Sequence, residues 1–188
     1  MTGVRPDPAR PGGRPSLRRA LWRLVQASLF RYSFHNWYGF RCRLLRLFGA
    51  TLAAEVRIRP TVRIDCPWRL TIGRKSSLGD GCVVWAHAPV VIGERSVCSQ
   101  FSVLCTWDVD VDDPARPMPP RPIHIADDVW IATECLVTAG ATVPPGVVIG
   151  ARSVVRGPLE GWTIAAGDPA RSRAPRPLRP DDPGAGSG

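Results

Sequence analysis

The sequence predicts an all-β solenoid: a parallel β-helix with an N-terminal helical segment and one inserted loop. Three observations lead there. Pairs of an aliphatic and a small residue recur every six residues through the middle of the chain, the recurrence is interrupted once by an acidic, proline-rich stretch, and leucines recur at helical spacing ahead of it.

The repeat decides the class. Ile72-Gly73, Leu78-Gly79, Ile92-Gly93, Cys98-Ser99 and Leu104-Cys105 form one run, and Ile125-Ala126, Ile131-Ala132, Val137-Thr138, Val143-Pro144, Ile149-Gly150 and Val155 form a second. Four residues after each aliphatic stands a small or β-branched residue: Ser76, Cys82, Ser96, Ser102, Val129, Cys135, Ala141, Val147 or Ser153. An α-helix of about 3.6 residues per turn cannot hold a six-residue period on one face. Short strands joined by corners can, with three hexads to a coil, the aliphatic stacked inward and the small residue turning the corner. Val56 and Val62 extend the pattern upstream, giving about five coils between 56 and 156. Cys82 and Cys135 occupy corner slots and Cys98 a stacking slot, where a thiol acts as a small hydrophobe.

Ahead of the repeat, Leu17, Leu21, Leu24, Val25 and Leu29 alternate with Arg18, Arg19 and Arg23, and a second helical stretch over 40–50 ends at Gly49, a C-cap. The resulting organisation is a Pro/Gly-rich tail at 1–16, a basic amphipathic helical segment at 17–50, the β-helix at 51–173 with its loop at 105–124, and a second tail at 174–188, both tails expected to be disordered.

Composition narrows the function. Of 188 residues 44% are hydrophobic, and 25 basic residues face 16 acidic ones, a net charge of +9. Residues 1–47 hold ten arginines and a single acid, Asp7, so the basicity is N-terminal and the body is neutral. That argues against a nucleic-acid-binding domain. No run approaches the roughly 18 uncharged apolar residues of a membrane helix, and the N-terminus has no apolar signal core, which predicts a cytoplasmic protein. The six cysteines form no C-x-x-C pair, and the glycines follow the repeat rather than a phosphate-binding fingerprint. The basic segment reads either as a cap over the open end of the β-helix or, through residues 17–48, as a peripheral contact with an anionic membrane surface at the inner face of the membrane.

The stretches NWYGFRCRLLRLFGA, PWRLTIG, the Cys-Thr of SVLCTWD, IADDVWIATECLVTAGATVPPGVVIGARSVV and GDPAR resemble the hexapeptide-repeat acyltransferases, in particular the colanic-acid-biosynthesis type. The resemblance covers about Leu21 to Arg173 and implies a left-handed parallel β-helix, a homotrimer, and acetyl-CoA as acyl donor in a cleft between neighbouring β-helices beside a hydroxyl acceptor. Carried over by position, Thr133 and Ala151 face the pantetheine, Arg156 and Arg171 lie near the phosphates, and Trp130 walls the cleft; arginine suits phosphate through its bidentate fork.

The departures concern the base. The family loop reads C-T-G-S-H-D with the histidine as general base; here it is Cys105-Thr106-Trp107-Asp108-Val109-Asp110, with Val109 in the histidine's place. The family's Tyr-Asn before the next coil is Trp85-Ala86, so Trp85 and Trp107 line the acceptor side. Three residues could supply the missing base. His87 follows the lost Asn position, and Asp108 and Asp110 sit among four acids under a tryptophan, where repulsion and desolvation raise a carboxyl pKa. His35 and His124 read as a helical-region residue and an exposed strand residue. The three histidines lack the spacing of a zinc site, so no metal is expected. The leading function is O-acyl transfer to a sugar or sugar-like hydroxyl. The alternatives are non-acyl chemistry in a repurposed cleft and a catalytically silent trimeric binding protein.

Overall fold

A computed structural model describes residues 17–107 and 119–177. It is a left-handed parallel β-helix of five triangular coils. The first coil is β1 (Thr51–Leu52), β2 (Arg57–Ile58) and β3 (Arg63–Ile64); the second is β4 (Leu70–Ile72), β5 (Ser77–Leu78) and β6 (Val83–Trp85). The third is β7 (Val90–Ile92), β8 (Val97–Cys98) and β9 (Val103–Cys105); the fourth is β10 (Ile123–Ile125), β11 (Trp130–Ile131) and β12 (Leu136–Val137); the fifth is β13 (Thr142–Val143), β14 (Val148–Ile149) and β15 (Val154–Val155). Successive coils pair in parallel along three faces, here called A, B and C, each beginning with β1, β2 or β3.

The six-residue period places one aliphatic per face in the lumen. Ile58, Leu78, Cys98, Ile131 and Ile149 stack on face B, and Ile64, Val84, Leu104, Val137 and Val155 on face C, all essentially inaccessible. Burying one such side chain is worth about 1.5–3 kcal/mol. The corners have their own rule. Lys75, Arg95, Phe101, Asp128, Glu134 and Arg152 adopt left-handed backbone conformations, each immediately before the small buried residue. That conformation costs a non-glycine residue about 1–2 kcal/mol. The serines that follow help to offset it. Ser76, Ser96 and Ser102 donate their hydroxyls to the carbonyls of Gly93, Ala126 and Ala132 in the next coil at 2.6, 2.7 and 2.8 Å. At Gly73 the coils approach so closely that a Cβ would lie 2.5 Å from the Gly93 carbonyl carbon.

The repeat is less regular than a single grid. Ile64 to Ile72 and Val84 to Ile92 are steps of eight residues, and both fall at the corner between faces C and A. The loop after β9 is inserted at that same corner, so three successive coils are lengthened at one vertex.

The N-terminal segment closes the first coil. It comprises α1 (Leu17–Val25), a π-helical turn (Gln26–Phe30) and α2 (Tyr38–Leu47), with Gly49 left-handed after the end of α2. On each face a side chain donates to the exposed strand edge. Arg46 donates to the Leu52 carbonyl at 3.1 Å, Arg41 to that of Ile58 at 2.6 Å, and the Trp22 indole to that of Ile64 at 2.5 Å. The inward residues are Trp22, Phe30 and Leu45, whereas Leu17, Leu21, Leu24 and Leu29 are exposed. The leucine stripe therefore points away from the β-helix, opposite to what a cap packed through it requires, because the aromatic rings fill the broad triangular opening. At the other end β16 (Thr163–Gly167) pairs in parallel with β14, and β17 (Ala170–Pro175) folds back antiparallel, so ordered strand runs past residue 173. No described helix is long and apolar enough to cross a membrane.

Candidate active site

The lengthened corner between faces C and A gathers polar groups from three coils. Asp65 follows β3, His87 follows β6, and Thr106 and Trp107 follow β9. Asp65 is the residue that sequence reasoning missed. Its Oδ2 lies 3.1 Å from His87 Nε2, and its Oδ1 accepts the Ala86 amide at 2.7 Å. Side-chain exposures of 20% and 13% make this a largely desolvated pair. Burial alone would push the Asp65 carboxyl up. The hydrogen bonds from His87 and the Ala86 amide, with the positive charge of Arg19 nearby, outweigh it and hold the carboxyl below its ordinary range.

Thr106 fixes the corner. Fully buried, it accepts the Ala88 amide at 2.9 Å through Oγ1 and donates the same hydroxyl to the Trp85 carbonyl at 2.9 Å. The Trp107 ring stands 5.8 Å from the His87 ring and 6.2 Å from that of Trp85. Trp107 Nε1 is buried and has no acceptor among the described residues. His87, Trp85 and Trp107, three residues read from the sequence as site-lining, thus come together, and the structure adds Asp65. Asp108, Val109 and Asp110 lie outside the described residues. His124 is an exposed residue of β10, and His35 sits against Arg59 in the turn before α2.

Of the residues expected on the donor side, Arg156 shares the vertex between faces C and A two coils further on, and the others lie elsewhere. Thr133 and Ala151 occupy the corner between faces B and C in the fourth and fifth coils, tied by a bond from the Arg152 amide to the Thr133 carbonyl at 2.9 Å. The Thr133 hydroxyl itself donates to the Gln100 carbonyl at 3.0 Å. Trp130 projects from face B, half exposed, and donates to Ser99 Oγ at 3.0 Å. Arg156 follows β15, with its Nε 3.8 Å from Asp168; Arg171 lies in β17 and donates to the Ala170 carbonyl at 3.2 Å. Within one chain, then, His87 and the Thr133–Ala151 corner stand at different vertices of the triangle.

Five of the six thiols are buried. Burial pushes the Cys82 thiol up to about 11 and raises those of Cys42, Cys66, Cys98 and Cys135. Among the described residues no group of three or more His, Cys, Asp or Glu side chains could hold a metal.

No family model matches the chain. The "Putative colanic acid biosynthesis acetyltransferase WcaF" of Escherichia coli is 39% identical over 158 residues, covering 84% of this chain and 87% of that protein. The chain belongs to the hexapeptide-repeat acetyltransferase superfamily. The galactoside O-acetyltransferase of Escherichia coli is 26% identical over 68% of the chain. Among solved structures, a galactoside acetyltransferase in complex with coenzyme A superposes with a TM-score of 0.77 over 85% of this chain and 81% of its own, at 22% identity. A hexapeptide-repeat acetyltransferase of Vibrio cholerae bound to acetyl coenzyme A gives 0.74 over 89% and 96%, at 21% identity. For the fold, these likenesses supply the left-handed β-helix of this superfamily.

Proposed function

We propose that this hexapeptide-repeat acetyltransferase transfers an acetyl group from acetyl-CoA to a hydroxyl of a sugar or sugar-like metabolite, with the Asp65–His87 pair as its base. The observation that carries the reading is the 3.1 Å contact between Asp65 Oδ2 and His87 Nε2 beside Trp85 and Trp107. With Nε2–H given to the carboxylate, the basic lone pair of the imidazole is on Nδ1. Asp65 fixes that tautomer and stabilises the imidazolium, the role of a carboxylate behind a histidine base.

The acceptor hydroxyl oxygen attacks the thioester carbonyl carbon while its proton passes to His87 Nδ1. The tetrahedral intermediate collapses, the C–S bond breaks, and the imidazolium proton passes to the CoA sulfur. The products are the acetyl ester, free CoA and the starting pair of neutral imidazole and Asp65 carboxylate. Trp85 and Trp107 supply an apolar wall for a sugar face and, at Trp107 Nε1, which has no acceptor among the described residues, a donor that a substrate oxygen satisfies. Thr133 and Ala151 flank the pantetheine, Trp130 walls the cleft, and Arg156 and Arg171 lie near the phosphates. Because Thr133 and Ala151 stand at another corner than His87, a homotrimer brings one protomer's base to its neighbour's donor side. The solved relatives with coenzyme A or acetyl coenzyme A bound support the donor.

CoA release, followed with a thiol reagent against a panel of hexoses, amino sugars and sugar phosphates, tests the reading. At least one acceptor should stimulate release, and His87→Gln should lower kcat by roughly 10²–10⁴-fold at unchanged KM for acetyl-CoA. Acceptor-dependent release that is intact in His87→Gln would remove His87 from the mechanism.

A further inference from the structure

A cleft of about 700 Å³ lies between the N-terminal helical segment and the first three coils, where faces B and C meet. Arg23 and Arg31 border it from the helical segment, Arg63 from β3, and Thr61, Asp80 and Phe101 from the corners. None of the three arginines has an ion-pair partner among the described residues. The one acid, Asp80, is already engaged, accepting the Thr61 hydroxyl at 2.7 Å and lying 3.5 Å from Arg59 Nε. The floor is flat and apolar. Phe101 is 59% exposed, held in a left-handed conformation at its corner, and its ring lies 2.5 Å from where a Cβ on Gly81 would sit. A smaller cavity of about 170 Å³ shares Arg23, Gln26 and Arg63 with this cleft and continues to Asp65 and Trp85.

Three guanidiniums without a counter-charge around an apolar floor repel one another, and an anion relieves that repulsion through charge-assisted, bidentate hydrogen bonds. Arg63 and Asp65 are two residues apart at the end of one strand, about 7 Å at the β rise, close to the span of a sugar ring. We propose that this cleft binds the phosphate or pyrophosphate of a phosphate-linked sugar acceptor, with the group beyond the phosphate lying on Phe101 and the sugar hydroxyl reaching His87. The inference rests on the acyl-transfer reading for the identity of the acceptor. The cleft's affinity for phosphate is independent of it.

The test is equilibrium titration of the full chain with inorganic pyrophosphate, uridine diphosphate and farnesyl diphosphate at low salt, with acetyl-CoA titrated separately. Binding of a pyrophosphate probe, weakened about tenfold in each of Arg23→Gln and Arg63→Gln and unchanged in Arg43→Gln, is expected. Tighter binding of uridine diphosphate identifies a nucleotide-linked acceptor, and tighter binding of farnesyl diphosphate a lipid-linked one. No binding of any probe, equal binding by all three variants, or displacement of the probe by CoA overturns the assignment. Probe binding without acetyl-CoA binding would instead overturn the acyl-transfer reading and leave the cleft intact. Matching thermal melts of wild type and variants exclude misfolding as the cause.

Discussion

At the scale of single residues, the site depends on a carboxylate that no motif announces. Asp65 accepts from His87 and from the Ala86 amide, and its pKa is depressed in the fold. The sign of its pH dependence follows. A depressed folded-state value means that ionised Asp65 stabilises the fold above the ordinary carboxylate range, and that this contribution is lost as the pH falls through the depressed value. Asp65→Asn should therefore be less stable than wild type at neutral pH, with the gap narrowing below about pH 4. Urea melts across that range check this, and a constant gap would contradict the depressed value. The sequence offered His87, Trp85 and Trp107 because each stood beside a departure from a family motif. Asp65 stood beside none, since its partner lies in the next coil, 22 positions on. One signal could have found it. The steps Ile64 to Ile72 and Val84 to Ile92 each exceed six residues, and the surplus residues at a β-helix corner are those free to leave the lumen-lining pattern.

At the scale of elements, the β-helix was legible and the packing of the helices was not. A six-residue period fixes which side chains enter the lumen, because strand geometry alternates faces and each corner repeats the same backbone conformation. The helical segment has leucines on one stripe and arginines between them, a pattern that reads as an apolar face directed inward. The structure turns it over. Trp22 and Phe30 go in, and Arg41, Arg46 and the Trp22 indole supply the donors that unpaired strand carbonyls require, a demand that hydrophobic periodicity does not register. Arg41 is the strongest case. Fully buried, it donates to the carbonyls of Ile58, Phe34 and His35 and to the Ser33 hydroxyl at 2.6–2.8 Å. Each buried acceptor left unsatisfied costs about 1–3 kcal/mol. Arg41→Ala should thus lower unfolding free energy by more than about 3 kcal/mol, while the exposed Arg43→Ala stays within about 0.5 kcal/mol. Equal denaturant midpoints for the two variants would remove Arg41 from the account of the cap.

At the scale of the whole molecule, the two halves of the proposed chemistry stand apart in one chain. The Asp65–His87 pair proposed as the base lies at the corner between faces C and A in the first three coils, and Thr133 and Ala151 lie at the corner between faces B and C in the last two. Only an assembly in which neighbouring β-helices face corner to corner brings them together, so light scattering should give a mass of three 20.5 kDa chains. A monomer active in acyl transfer would contradict that division of labour. The measurement that bears most directly on the central claim is calorimetric titration of acetyl-CoA into wild type and His87→Gln. The account predicts micromolar binding at one CoA per chain in both, because His87 moves a proton during the reaction and is not among the residues that hold the donor. An absence of binding at millimolar acetyl-CoA in the wild type would contradict acyl transfer altogether, and binding lost only in His87→Gln would contradict the role assigned to the Asp65–His87 pair.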